Sequence, residues 1–203
     1  MNEKAENITQ ELRSLERKSD QSCTIHAWLR DKHSFRASLL DYGLMAGTTY
    51  LLGLSLVEPA IGIPLALGFD RHVLIAVFSL IVFFLSIVQF KSEWKARAEA
   101  HQRAMKEYAD IKLDCRAITS GTRKAGPSEF DRIKSRYGMI TEVGTHIPDG
   151  AFIGGKAHHA RKVFVSKYLD DNPGARPLIV RAKLFLRDNF NINLLRPNAK
   201  NDA

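Results

Sequence analysis

The chain has 203 residues, enough for one domain or for a membrane segment with one small domain. Its formal charge of +8 and pI near 9.6 favour acidic partners: anionic lipid, nucleotide or nucleic acid. A membrane hairpin with cytoplasmic flanks is basic in any case. The mean hydropathy of −0.19 averages two lipid-like runs with very polar flanks. Cys23 and Cys115 have no metal-type spacing and imply no disulfide framework, and on cytoplasmic flanks both stay reduced. The opening MNEKAENITQ has no apolar core, so no cleavable signal peptide is expected and the first apolar run directs insertion.

From Asn2 to Asp20, Ile8, Leu12 and Leu15 recur at helical spacing among charges, enough to pack on another helix but too sparse for a core. The pattern continues to Arg36 through Ile25, Trp28, Leu29 and Phe35, with no Pro or Gly. One helix is therefore expected to enter the first apolar run directly, with Trp28 and Phe35 near lipid headgroups.

Two apolar runs follow, SLLDYGLMAGTTYLLGLSLV (38–57) and VLIAVFSLIVFFLSIVQF (73–90). Roughly 18 to 20 helical residues cover the ~30 Å of hydrocarbon in a bilayer. The second run carries no charge, and its polar members are Ser79, Ser86 and Gln89. The expectation is a transmembrane hairpin, with a buried soluble hairpin as the alternative. Arg30, Lys32 and Arg36 precede the first run, and Lys91, Lys95, Arg97, Arg103 and Lys106 follow the second. The connection from Glu58 to His72 holds only Arg71 against Glu58 and Asp70, so both termini are expected in the cytoplasm. Pro59, Gly62, Pro64 and Gly68 break that connection, and Ile63–Leu67 either lies in the interface or extends a kinked first helix.

Gly43 and Gly47 form a GxxxG pair, with Thr48, Thr49 and Ser55 adding hydroxyls, while Ser79, Phe83 and Ser86 share a face of the second run. These residues line either a subunit contact or narrow pore, or the ordinary pairing of the two helices within one chain. Asp41, one turn from the cytoplasmic edge, reaches headgroups or a basic flank residue and ranks below a mid-membrane acid as a candidate.

After Phe90 the helix is expected to run unbroken to about Thr119. Trp94, His101, Tyr108 and Cys115 are seven apart, and Ala98, Met105 and Lys112 interleave. This imperfect heptad seam suggests a stalk packing on the N-terminal helix or on copies of itself. His101 suits a packing or pH-tunable contact better than a metal ligand.

GTRKAGPS is a turn-rich basic linker, and Ser128 is expected to cap a short helix ending at Tyr137-Gly138. Residues 139–155 alternate loosely around Asp149-Gly150, a β-hairpin signal. KAHHARKVFVSKYLDD reads as a helix ended by Asn172-Pro173-Gly174, and 177–190 as a helix with a strand as the alternative. The tail from Arg196 is expected to be disordered. From Gly121 onward, fifteen basic residues against eight acidic ones leave +7. This region is suited to lie on anionic lipid, at about 1 kcal/mol per basic residue near the surface, or to grip phosphates. Sparse aromatic interleaving makes backbone contact the mode for nucleic acid.

No catalytic pattern holds. GTRKAGPS lacks the Gly-Lys-Ser/Thr ending of a phosphate loop, and there is no G-x-S-x-G elbow and no metal-spaced His/Cys set. His158 and His159 stand beside Lys156, Arg161 and Lys162, but adjacent helical residues point about 100° apart, which disfavours a two-ligand site. Neither an enzyme nor a cofactor is expected.

The amphipathic N-terminal helix, the two apolar helices with a minimal turn, and the charged helix FKSEWKARAEAHQRAMKEYADIK together resemble the SLATT family over about residues 5 to 118. The resemblance implies a two-helix effector of bacterial conflict systems that forms pores or disrupts the membrane and stays silent until a companion sensor fires. Such companions are nucleotidyltransferases making nucleotide messengers or, in some branches, reverse transcriptases. It supplies no catalytic residues.

The expected fold is mainly α, divided as amphipathic helices (1–37), membrane hairpin (38–90), stalk (91–120) and a basic C-terminal module (121–203), α or α+β. The expected function is a homo-oligomeric effector of the inner membrane, abortive-infection-like in action. Its pore or helix contacts would be Gly43, Gly47, Thr48, Ser79, Phe83 and Ser86, and its stalk contacts Trp94, His101, Met105 and Tyr108. Phosphate or anionic lipid would meet the collar of Arg30, Lys32, Arg36, Lys91, Lys95 and Arg97, together with Lys156, Arg161 and Lys162. One rival is a membrane-anchored scaffold recruiting nucleic acid or a companion enzyme; another is an enzyme acting through His158 and His159.

Overall fold

The first proline in the chain is Pro59, and nothing before it removes a helical donor. α1 accordingly runs without interruption from Asn2 to Leu56, about 80 Å at 1.5 Å per residue. The computed structural model describes residues 2–56, 70–123 and 126–190, and among these it is helical apart from short connections, with no strand. α2 (Arg71–Ser92) and α3 (Trp94–Thr119) fold back antiparallel along α1. α4 (Pro127–Val143), α5 (Asp149–Asp171) and α6 (Pro177–Phe190) pack beside the far half of that pair. Most of the 57–72 connection, Lys124 and the tail from Arg196 lie outside the described residues, so the expectations for Pro59–Gly68 and for the tail are not addressed.

Two of the helix starts have a local cause. Asp70 caps α2, its carboxylate accepting from the N–H groups of His72 (2.9 Å) and Val73 (3.2 Å). Gly126 stands at the N-cap of α4 with Pro127 in its first turn, so the cap falls two residues before the predicted Ser128. Proline is pre-set for that first position and loses nothing there.

At the end remote from the apolar runs, Leu12, Ile111, Cys115, Ile118 and Ile133 form a buried cluster where α1, α3 and α4 meet. Its α3 members are spaced four and three apart. The seam thus reads His101, Ala104, Tyr108, Ile111, Cys115, Ile118, all buried. Met105 and Lys112 flank this seam rather than interleave in it, one residue off the sequence reading. α5 comes close enough to α1 that a Cβ on buried Gly155 would stand 2.8 Å from both Cγ atoms of Ile25. Val165, Tyr168 and Val180 join α5 to α6.

Three further expectations are corrected. Residues 139–155 form no hairpin: α4 continues through Gly138 to Val143, and Asp149-Gly150 opens α5. Tyr137 and Ile140 pack on the buried cluster, which outweighs the ~1 kcal/mol penalty of an internal glycine. Asp149 in the first turn of α5 favours a helix start through the dipole. Residues 177–190 are helical, so the strand alternative falls. The helix after Phe90 also breaks, at Glu93, whose φ of 48° is left-handed.

Candidate functional site: an apolar helix pair and its polar seam

By length and composition, the helical stretch from Arg71 to Thr119 holds a segment long and apolar enough to cross a membrane, and none of that segment is buried. No other helix among the described residues meets this description, including α1, whose apolar end carries Asp41, three glycines and two threonines. On α2, Leu80, Phe83 and Phe84 are each more than 60% exposed, and on α1 so are Leu39, Met45 and Leu52. In water this surface would cost about 25 cal/mol per Å².

The apolar end of α1 lies against α2. Tyr50 and Phe78 rings meet at 5.3 Å between centroids, and Arg71 Nη2 donates to the Ser55 carbonyl at 2.9 Å. Gly47 faces the partner helix so closely that a Cβ there would stand 2.9 Å from Val82 Cγ2. Gly43 has nothing within 4 Å of the same position, so the GxxxG pair is split between the contact and the open face. Thr48, Ser79, Phe83 and Ser86 are exposed and do not join the intrachain contact. Thr48 donates back to the Leu44 carbonyl (2.8 Å) and Ser86 to the Val82 carbonyl (2.8 Å), so both hydroxyls are satisfied within their own helices.

Glu93 marks the junction between α2 and α3. A non-glycine residue at positive φ is disfavoured by roughly 1–2 kcal/mol, so contacts on both sides must hold it. Asp41 supplies them: one oxygen accepts from Gln89 Nε2 before the break, and the other pairs with Lys95 Nζ at 2.7 Å after it. Trp94 is half-buried in the same place, beside Asp41 and Lys95.

Next along α1 and α3 comes a column of aromatic rings. His33 stacks on His101 (5.6 Å, 12°), His101 meets His26 (5.2 Å, 44°), and His26 stacks on Tyr108 (5.5 Å, 18°). Tyr108 contacts Tyr137 of α4 edge-on at 5.9 Å. His26 and His101, 2% and 5% exposed, are joined through their Nδ1 atoms at 3.0 Å. One ring must donate and the other accept, so at most one of the two carries a proton on both nitrogens. Burial lowers the His26 pKa to about 4, with His101 adding to the effect. Burial lowers His101 also, followed by His33. His33 is lowered by burial and then by Arg36, Arg97 and Lys32, and its Nδ1 is buried without a partner.

The predicted collar divides. Arg30 is committed: it donates twice to Asp31 and reaches Gln102 Oε1 at 2.7 Å across the seam. Lys32 lies 5.2 Å over the Trp28 ring. Arg36, Lys91 and Arg97 are exposed beside the junction. Trp28 faces α5, stacking on His158 at 6.2 Å, so it is not free for headgroups. His158 and His159 diverge as expected, His159 Nδ1 pairing with Thr24 Oγ1 at 3.1 Å. Lys156, Arg161 and Lys162 are exposed on α5. Among the described residues no cluster of three or more His, Cys, Asp or Glu side chains could hold a metal ion. Burial raises the Cys115 pKa to about 11, so this thiol is no nucleophile at neutral pH.

The sequence reading did not single out His26 and His33. Their spacing of seven, matching that of His101 and Tyr108 on the opposite helix of the pair, was the available signal.

No family model, no curated protein and no solved structure matches the chain.

Proposed function

We propose that the chain is a membrane effector. In this reading the end of α1 and α2 insert as a hairpin into the bacterial inner membrane, and copies assemble to open or disrupt it. One observation carries the proposal: α2 is long and apolar enough to span a bilayer, and none of its residues is fully buried within the protein. Lipid is the solvent such a surface requires. The charge flanking the two helices supports a cytoplasmic location for both termini and for α3–α6. Assembly would use the face left open by the intrachain contact, which carries Gly43, Thr48, Ser79, Phe83 and Ser86.

The resemblance to SLATT proteins extends this reading to an antiviral, abortive-infection-like effector triggered by a companion nucleotidyltransferase or reverse transcriptase. The test is dye release from sealed liposomes of bacterial lipid. Release that grows steeply with protein concentration supports a pore. Stable insertion without release favours the second reading, a membrane-anchored scaffold, which rests on the amount of basic helical surface carried outside the apolar pair.

A further inference from the structure

A cleft of about 830 Å³ opens between α1, α5 and α6, within the size range of small-molecule sites. Its apolar and aromatic lining comes from Ala27 and Trp28 of α1 and from Leu184 and Phe185 of α6. Arg161, Lys162 and Arg181 also line it, from two helices. The acids of the lining, Asp31 and Asp188, are already engaged by neighbours: Arg30 donates to Asp31 at 2.6 and 2.8 Å, and Arg187 to Asp188 at 2.9 Å. Among the described residues none of the three cleft cations has an ion pair, and Arg161 makes only a 3.3 Å bond from Nε to the Ala157 carbonyl.

The other end of the molecule behaves differently. There Arg116 pairs with Glu16, Lys112 with Asp20, Arg123 with Asp114 and Glu129, and Arg136 with Glu107 and Asp110. The cleft thus brings three unpaired cations to one cavity, while others such as Arg36, Arg97 and Lys156 stand exposed elsewhere. His158 at its edge registers that field: burial lowers its pKa first, Arg161, Arg181 and Lys162 lower it further, and Asp31 opposes them.

We propose that this cleft binds a phosphate-bearing small molecule of the nucleotide class, the phosphates meeting Arg161, Lys162 and Arg181 and the planar base lying against the Phe185 ring with the edge of Trp28 beside it. Arginine matches phosphate geometry through paired N–H donors, and aromatic walls accept any base. The cleft is walled by three helices and closed in extent, which suits a monomer better than the extended track a nucleic acid strand requires. Trp28 stands ten residues before the first apolar run, about 15 Å along α1, which sets the cleft back from lipid headgroups. The inference concerns the helices outside the apolar pair and does not depend on that pair opening a membrane.

The chain has two tryptophans, so full-length Trp94→Phe protein in nanodiscs of neutral lipid leaves Trp28 as the sole indole reporter. Titration with ATP, GTP, CTP and UTP should quench it saturably for at least one of them. Arg161→Ala/Arg181→Ala should weaken that nucleotide about tenfold or more, and the charge-matched Lys167→Ala/Arg176→Ala should not. Inorganic triphosphate should compete, but less tightly than the nucleotide. The proposal is overturned if no nucleotide quenches, if the two double variants behave alike, or if triphosphate binds as tightly as the nucleotide. Quenching only in nanodiscs containing phosphatidylglycerol, or tighter binding of a single-stranded RNA than of any nucleotide, would assign the cleft elsewhere and overturn it too. Failure of every arm leaves liposome release untouched, so the cleft and the membrane reading fail separately.

Discussion

Acidification should loosen the α1–α3 seam, and the histidine column sets both sign and size. His26 binds its proton at about pH 4 when buried and at its ordinary value of 6.5 when the seam is open. Between those values the open form takes up a proton that the closed form does not. Stability is therefore fully present above pH 6.5, falls progressively as pH drops toward 4, and levels off below. From pH 7 to pH 5 the loss from His26 alone is at most about 2 kcal/mol, some twentyfold in the closed/open ratio. His101 and His33, both lowered, act in the same direction. Among the described residues no carboxylate acts on these three rings. α1 presents Arg30, Lys32 and Arg36, of which Arg30 is paired to Asp31; α3 presents Arg97 and Tyr108; α4 presents Tyr137. The assay is urea unfolding of the detergent-solubilised chain followed by far-UV circular dichroism, between pH 7.5 and 5, above the range where surface carboxylates titrate. A His26→Leu/His101→Leu variant should lose most of this pH dependence while remaining folded at pH 7. A wild-type midpoint that does not move between pH 7 and 5, or a double variant with the same slope, would refute the reasoning.

Four other outcomes are expected. Gly155→Val places a branched side chain where a Cβ already stands 2.8 Å from Ile25, so α5 should lift from α1, costing about 1–3 kcal/mol and speeding amide exchange in α5. Gly47→Leu should separate α1 from α2, seen as a longer spin-label distance between positions 50 and 78, because even a Cβ there would stand only 2.9 Å from Val82 Cγ2. Ser86→Leu, on the open face, should leave that distance unchanged and reduce crosslinking between copies if the open face is the assembly seam. Arg136→Ala removes a partly exposed network to Glu107 and Asp110 and should cost no more than about 1 kcal/mol in the same urea assay.

The helices were legible where the pattern was long and unbroken. The absence of proline before position 59 and the apolar run 73–90 announced α1 and α2 directly. Two errors came from local signals overruled by packing. Asp149-Gly150 has hairpin chemistry, yet Ile140 and Tyr137 gain more by extending α4 onto the buried cluster. Glu93 carries no helix-breaking side chain, and its left-handed turn is held by Asp41, more than fifty residues away in sequence. No local reading of 90–97 could place that break. The seam register was off by one because Met105 and Lys112 fit a seven-residue template as well as Ala104 and Ile111 do. Only contact with Leu12 and its neighbours chooses between the two sets. The cleft was invisible for a similar reason: Trp28, Arg161 and Arg181 lie on three helices and share no motif.

Asp41 gives the two halves of the molecule a mechanical relation. It is the one acid within the apolar end of α1, and its carboxylate holds Gln89 on the α2 side of the break and Lys95 on the α3 side. Any displacement of α3 along α1, whether from protonation of the histidine column or from occupation of the neighbouring cleft, must pass Lys95 before it reaches α2. Asp41→Asn removes the ion pair but keeps a partner for Gln89, whereas Asp41→Leu removes both. If Asp41 couples the halves, spin-label distances across α1–α2 should follow those across α1–α3 as pH falls in the wild type, and in Asp41→Leu the α1–α2 distance should become independent of pH. Equal pH response of both distances in Asp41→Leu would mean that the left-handed turn at Glu93 transmits the motion without the clamp.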